Sequence, residues 1–383
     1  MSNLQSQIKR YPLLPYSQLV LDVTRWMPGV YRFPITFLWR EGAKEKDRIV
    51  NAIRTALANH PVFSMSVDWR GRHYPSSLED ILNGPYLRVD IEEKGDDLAI
   101  KTDFSRILGD GRSGLIILED VARAYHGLPL EQDDYWGYVA RYEQQKNASH
   151  YTISHDWLID EFADDSIPVR PTLDRRWINT LSPPQAGLYK EDYTALREQI
   201  NRLIDEHHLT LDGIFSLASA LAIADYCGTD AAALTWAYEG REKEDEQRIF
   251  GSLHRDIPFQ IRKSKIDNRE SAIRLARNQI RQGIAHSDYP YTLTAPYTKR
   301  WNYAVNVLHT TDLEDFLPTL VLPLQLEPLP QQKYAYALLD IEVVEHGDSL
   351  QLRYRYSATH YKEESIRKYA ALVRKYVEWL LEE

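Results

Sequence analysis

A single cysteine, Cys227, stands in 383 residues, so no disulfide can form within the chain and a disulfide-stapled architecture is excluded. Its apolar setting, SLASALAIADYC (216–227), predicts a thiol buried in a helix. No apolar run approaches the ~20 residues that a membrane-spanning helix needs, so no membrane partner is expected. The N-terminal MSNLQSQIKRYPLLPYSQ lacks the apolar stretch and small-residue cleavage site of a signal peptide. Together these predict a cytoplasmic protein, in which the Asn147-Ala148-Ser149 glycosylation match carries no meaning. Positive charge is in deficit: 46 Lys and Arg stand against 56 Asp and Glu, a net charge of −10. That balance argues against general nucleic-acid binding, which needs a positive surface. Cys-x-x-Cys and His-Glu-x-x-His are both missing. GDGRSG (109–114) has three glycines without the spacing of a dinucleotide or phosphate loop. HRDIP (254–258) shares His-Arg-Asp with protein kinases, but their glycine-rich loop and Asp-Phe-Gly are lacking. Neither a metal site nor a bound cofactor is therefore expected.

What is there is an ordinary globular composition, 43% apolar and 27% charged, in a chain longer than a single core accommodates. Two lobes are expected. Helices are predicted over 44–61, stopped by Pro61; over 114–127, closed by Gly127; and over 190–208, 211–228, 268–284 and 362–383. The 211–228 stretch is apolar all round and should be buried. Two strand–turn–strand units, 86–105 and 340–357, each turn on Gly-Asp, and their likeness suggests two lobes on one plan. The acidic, Pro-containing stretch 157–177 shows no period and reads as the connection. The expected division is an N-terminal lobe over 1–160, a linker over 161–178 and a C-terminal lobe over 179–383.

HHLTLDG (207–213) fits His-His-x-x-x-Asp-Gly, the signature of a large acyltransferase superfamily. Helix chemistry accounts for it without catalysis. Thr210 is a natural N-cap, Asp212 sits beside the positive start of the next helix, and His208 sits beside the negative end of the last one. A second site emerges from segments in order along the chain: YPLLPYSQLVL (11–21), ALANHPVFSMSV (56–67), DFSRILGDGRSG (103–114), DYWGYVARYEQ (134–144), YEGREKEDEQRIFGSLHRDIPFQIR (238–262), HSDYPYT (286–292) and WNYAVNV (301–307). In this order they resemble the motifs of nonribosomal peptide synthetase condensation domains, over residues 11 to about 380. HSDYPYT is the most specific of them.

The resemblance implies an α/β fold of two chloramphenicol-acetyltransferase-like lobes, arranged as a V-shaped pseudo-dimer around a central tunnel. It places the catalytic loop at SRILGDG, Ser105 to Gly111, carried by the first lobe, and makes HHLTLDG a decoy. Where the family has its second histidine stands Arg106, and where it has its first stands Ser105. A guanidinium with a pKa above ~12 cannot accept a proton, so base catalysis of the family type is excluded at Arg106. The resemblance gives Gly111 an oxyanion-binding amide and makes Asp110 structural, paired with a buried arginine. Arg241, Arg255 and Arg262 are candidates for that partner, and Arg106 is within reach. Ser113, His254, Trp301 and Tyr303 are expected along the substrate channel. His126, His254 and His286 are the histidines that could replace the missing base, with His254 first because its strand borders the family's channel.

Three functions are compatible with this loop. An enzyme could join a small-molecule amine or aminoacyl acceptor to an acyl group held as a thioester on the phosphopantetheine arm of an acyl or peptidyl carrier protein. Positioning and oxyanion stabilisation would replace the base. A non-catalytic relative could dock a carrier protein or recruit another enzyme, since some condensation-like domains that recruit oxygenases carry arginine at this place. An O-acyltransferase using acyl-CoA or acyl-carrier is the third, and it needs base assistance more. A monomer is expected, acting in trans or excised from a larger chain.

Overall fold

The computed structural model describes residues 12–26, 31–68, 70–175, 184–290, 304–328, 333–335 and 337–382. Trp301 and Tyr303 lie outside them. In chain order the elements are α1 (Pro15–Trp26), β1 (Arg32–Trp39), α2 (Lys46–Asn59), β2 (Met65–Val67), β3 (His73–Pro75), α3 (Leu78–Leu82), β4 (Leu87–Lys94), β5 (Asp97–Ser105), α4 (Gly111–Tyr125) and α5 (Tyr135–Gln145). These are followed by α6 (Ser149–Phe162), β6 (Ala186–Asp192), α7 (Arg197–His207), α8 (Leu211–Cys227), β7 (Ala231–Tyr238), β8 (Arg255–Arg262), α9 (Arg269–Ala285) and β9 (Asn306–Thr311). The chain finishes with α10 (Leu313–Phe316), β10 (Leu324–Leu326), β11 (Leu339–His346), β12 (Ser349–Ser357) and α11 (Glu363–Leu381).

The chain divides into two units. The first gathers residues 1–144, 239–254 and 313–331. Its sheet is antiparallel, in the order β10-β1-β5-β4. Ile49, Ile53 and Leu57 of α2 and Val121 of α4 share one core with Leu98 and Ile100 of β5, and the 239–254 stretch adds Ile249, Phe250 and Leu253. The second unit gathers residues 145–238, 255–312 and 332–383 around a sheet ordered β6-β12-β11-β9-β7-β8. There β9 runs parallel to β7 and β11, and the other pairs are antiparallel. Every residue of α8 from Gly213 to Ala224 is buried, as its all-round apolar sequence predicts.

This grouping differs from one division at 161–178. Leu158 and Phe162 of α6 pack with Ile167, Val169, Ala231 and Ala233, so residues 149–160 belong with the second unit. The stretch read as structureless from 157 is helical to Phe162, and its buried positions Ser154, Leu158 and Phe162 recur every fourth residue. Lys190 to Asp192, expected to open a helix, instead end strand β6. Cys227 is half-buried at the last position of α8, with Sγ 3.5 Å from the Arg170 carbonyl oxygen. The two hairpins do follow one plan. β4–β5 turns on Gly95 and β11–β12 on Gly347, both at positive φ as such tight turns require. Each ends in a buried serine, Ser105 and Ser357, shortly before a helix.

Candidate active site

The loop from Ser105 to Gly111 leaves β5 and enters α4 within the first unit. Ser105 is a turn-former. Its N–H bonds the Tyr86 carbonyl at 2.8 Å, its own carbonyl accepts from Leu108 N at 3.1 Å, and its buried hydroxyl accepts from Ile107 N at 3.3 Å. A serine so occupied packs and turns the chain, and that is where the structure departs from the catalytic expectation for it. Ile107 and Leu108 are buried in two separate apolar clusters and leave Arg106 as the half-buried side chain of the loop. Its Nη1 donates to Tyr16 Oη at 3.0 Å, and its Cζ lies 4.8 Å from the centroid of the Phe33 ring. The Tyr16 ring in turn meets the His254 imidazole edge-on, with centroids 3.7 Å apart. Tyr16, Phe33, Arg106 and His254 thus form one polar-aromatic patch.

Behind it lies a buried ion pair. Arg241 Nη1 and Nη2 donate to Asp110 Oδ2 and Oδ1 at 3.0 and 3.1 Å, a two-pronged contact that fixes both groups. Asp110 also caps α4. Its Oδ1 accepts from Ser113 N at 3.0 Å and Ser113 Oγ at 2.9 Å, and its Oδ2 accepts from Leu253 N at 2.9 Å and His254 N at 3.2 Å. Burial alone would raise the Asp110 pKa, but the Arg241 charge and hydrogen bonds hold it down to about 2. Arg241 also donates to the carbonyls of Ile249 and Gly251 at 3.0 and 3.1 Å through Nη2. Gly111, exposed at the first position of α4, has no ladder acceptor for its N–H, and a Cβ placed there meets nothing within 4 Å.

The other expected positions separate. Ser113 is fully buried, its hydroxyl shared between Asp110 and the Gly251 carbonyl, so it faces no channel. Arg255 bonds Ser287 Oγ at 2.7 Å and Arg262 bonds Asp164 at 3.4 Å, both within the second unit, which leaves Arg241 as the partner of Asp110. His126 ends α4 with Nε2 3.4 Å from the Val321 carbonyl. His286 stacks on Trp157 at 4.6 Å in the second unit. Of the three histidines, His254 is the one that packs on Tyr16, the hydrogen-bond partner of Arg106. HHLTLDG is a helix junction: His208 caps α7 at φ 52°, and Thr210 Oγ1 accepts from Gly213 N at 3.1 Å. Sequence reasoning missed Tyr16 and Phe33. Tyr16 lies in YPLLPYSQLVL, but nothing set it apart from the chain's 25 tyrosines.

Comparison with known proteins bears on the family and the fold. The Condensation domain family matches residues 84–383. Surfactin synthase subunit 2 of Bacillus subtilis (strain 168) is 22% identical over 412 aligned residues, covering 94% of this chain and 11% of that protein. Tyrocidine synthase 3 of Brevibacillus parabrevis is 23% identical over 221 residues, 55% of this chain and 3% of that protein. The chain therefore spans a small fraction of the curated relatives it matches. Among solved structures, the epimerization domain from the third module of tyrocidine synthetase B superposes with a TM-score of 0.75 at 15% identity, covering 97% of this chain and 96% of that one. The X-domain of teicoplanin biosynthesis in complex with OxyB gives 0.77 at 14% identity, 98% and 93%. The starter condensation domain of rhizomide synthetase, solved with C8-CoA and Leu-SNAC, gives 0.76 at 14% identity, 100% and 96%. The shared fold is that of the chloramphenicol-acetyltransferase-like condensation domains.

Proposed function

The chain belongs to the condensation-domain family, and on that premise we propose that it transfers an acyl group from a carrier-bound thioester to an amine, forming an amide without a histidine base. The observation that carries this reading is Arg106, a permanent cation at the head of the loop that leads into α4, whose first residue Gly111 keeps its N–H outside the helix ladder. As the amine attacks, the thioester carbonyl oxygen gains negative charge. The Gly111 N–H and the Arg106 guanidinium are donors suited to it, each of a kind worth ~3 kcal/mol. The C–N bond forms and the C–S bond breaks. The thiolate of the phosphopantetheine arm departs and takes up the proton that the amine loses. Its conjugate thiol has a pKa of ~8.5, so departure needs little acid assistance. A free amine attacks a thioester unaided once positioned, and positioning can supply ~7 kcal/mol. A general base commonly adds roughly 10²–10⁴-fold, so its loss slows such a reaction without ending it. An alcohol acceptor would need that base more.

A second reading has one specific observation in its favour. The Arg106 side chain is engaged by Tyr16 and Phe33, which suits a structural role, and the X-domain neighbour was solved in complex with OxyB. Under it, the chain would dock a carrier protein or partner enzyme without turnover. Intact-mass measurement separates the two: loaded carrier proteins are offered with free amines and with a second loaded carrier. Transfer by the wild type, lost in Arg106→Ala and kept in His208→Ala, is the expected result. Carrier binding without transfer across the panel would replace this reading with the second, and loss confined to His208→Ala would move the site to the second unit.

A further inference from the structure

His60 closes α2 and is buried inside the first unit, away from the Arg106 patch. It lies between two carboxylates that are as buried as itself. Nδ1 is 2.7 Å from Asp133 Oδ2, and Nε2 is 3.1 Å from Asp120 Oδ2, an ion-pair contact off the line of a well-aligned hydrogen bond. Carboxylates only accept, so both ring nitrogens facing them need protons, and only the imidazolium has two. We infer that His60 is a positioning residue of the candidate site, a buried imidazolium that fastens the segment carrying Arg241, Leu253 and His254 onto α4.

The path is continuous and local to this unit. Asp133 Oδ2 also accepts from Phe250 N at 3.1 Å, and its Oδ1 accepts from Tyr135 N at 2.9 Å. Asp120, on α4, is paired by Arg248, which also reaches Glu119; Asn59 Nδ2 donates to Asp120 at 3.3 Å, and Glu131 lies 3.7 Å from Arg248. The His60 ring packs on Phe250, centroids 5.1 Å apart. Residues 248–250 are thus held by the His60 cluster, and residues 249–254 hold Asp110 and Arg241 through the Ile249 and Gly251 carbonyls and the Leu253 and His254 amides. With His60 charged, two cations, His60 and Arg248, face the buried pair Asp120 and Asp133, with the more exposed Glu119 and Glu131 at the margin. Losing the proton leaves one buried carboxylate against a ring lone pair, which is costly in a dry interior.

Burial alone would lower the His60 pKa, but its close contacts with Asp120 and Asp133 and their charges outweigh burial and raise it above the ordinary 6.5. A raised value means that the contribution is complete below 6.5 and is lost as pH climbs through the folded-state value. The fastening is therefore complete in acid and weakens as pH rises through that raised value.

The structural claim stands by itself, and its effect on turnover rests on the proposed amide-forming reaction, so the experiment has separate arms. ¹⁵N-histidine NMR on the wild type should find one imidazole that keeps both protons to higher pH than an ordinary histidine does, and that is absent from His60→Gln. Finding that His60 loses its proton at or below the ordinary 6.5 would overturn the inference, even if the variant fails to fold. Amide exchange, corrected for its intrinsic pH dependence, should quicken in residues 249–254 by at least roughly tenfold when His60 deprotonates or is replaced by Gln, with α9 and β11 unmoved. Unchanged exchange there, or acceleration spread evenly through the first unit, would also overturn it. Where transfer is detected, both proteins share the rise that amine deprotonation brings, so the effect is read as the ratio of wild-type to His60→Gln kcat, which should fall as pH rises through the His60 folded-state value while the KM ratio stays level. A pH profile identical in the two proteins would refute the link to turnover while leaving the proposed reaction intact.

Discussion

Replacing Arg241 with Met keeps most of the side chain's bulk and removes the cation from the Asp110 pocket. The carboxylate then stays buried, with Ser113 N, Ser113 Oγ, Leu253 N and His254 N as its remaining donors. Breaking one side of a buried pair costs about 3–5 kcal/mol, and four surviving donors place this case at the lower end. An independent route gives a similar size: holding Asp110 at about 2 instead of its ordinary 3.8 corresponds to about 2 kcal/mol of stability at neutral pH. The carbonyls of Ile249 and Gly251 also lose Arg241 as a donor, which brings the expected cost to about 3 kcal/mol. For a unit of this size that is a fall of roughly 6–12 °C in Tm. The sign with pH is fixed as well. The wild-type contribution is present above the unfolded value and is lost as pH falls through about 2, whereas burial without Arg241 pushes the Asp110 carboxyl up. The gap between wild type and variant should therefore be widest near pH 7 and narrow as the solution is acidified. Urea unfolding read by amide exchange in β1 and β5 follows the first unit separately from the second. Asp110→Asn combined with Arg241→Met should cost clearly less than the sum of the single changes. A cost below about 1 kcal/mol, or strictly additive single changes, would refute the reasoning.

Three further outcomes follow from the geometry. Asp212 is half-buried in the first turn of α8, but its Oδ1 is shielded from solvent and unpaired, and that desolvation pushes its carboxyl up to about 6. Asp212→Asn should stabilise the second unit by up to about 3 kcal/mol above pH 6, with the gain fading as pH falls toward 4 in a denaturation series. Thr210→Ala removes the α8 cap and should cost about 1 kcal/mol without changing carrier binding or transfer, the outcome that a catalytic HHLTLDG would contradict. Gly109→Ala would set a Cβ 2.7 Å from Ser113 Cβ and 3.0 Å from the Phe250 ring, so it should cost about 1–3 kcal/mol in thermal unfolding and impair the loop.

The loop was legible because its logic is local. A strand with buried Leu98, Ala99 and Ile100, a turn, an Asp-x-x-Ser cap and an amphipathic helix follow each other directly in sequence. The identity of the Asp110 partner was not legible. Arg241, Arg255 and Arg262 lie close together in sequence, and the choice fell to whichever side of the 254/255 boundary each one occupies. Helix α6 was obscured because Asp156, Asp160 and Glu161 dominate its solvent side and a serine, Ser154, sits in its buried stripe. The end of strand β6 was read as helix because this edge strand, half in solvent, finishes with Lys190, Glu191 and Asp192 in a row. Tyr16 and Phe33 reach the Arg106 patch only through tertiary folding, which no spacing in the sequence encodes.

The first unit is assembled from three separate lengths of chain, and this decides how the protein can be cut and recombined. A graft that exchanges residues 1–160 as a block would carry Asp110 and leave Arg241, Leu253 and His254 behind with the recipient. It would also strip β10 from the edge of β1, exposing a row of unpaired backbone groups there. A chimera that preserves the loop must move 239–254 and 313–331 together with the N-terminal block, as one non-contiguous cassette. During synthesis the same connectivity means that Asp110 leaves the ribosome long before its counter-charge, so the loop reaches its final form only after much of the second unit has been made.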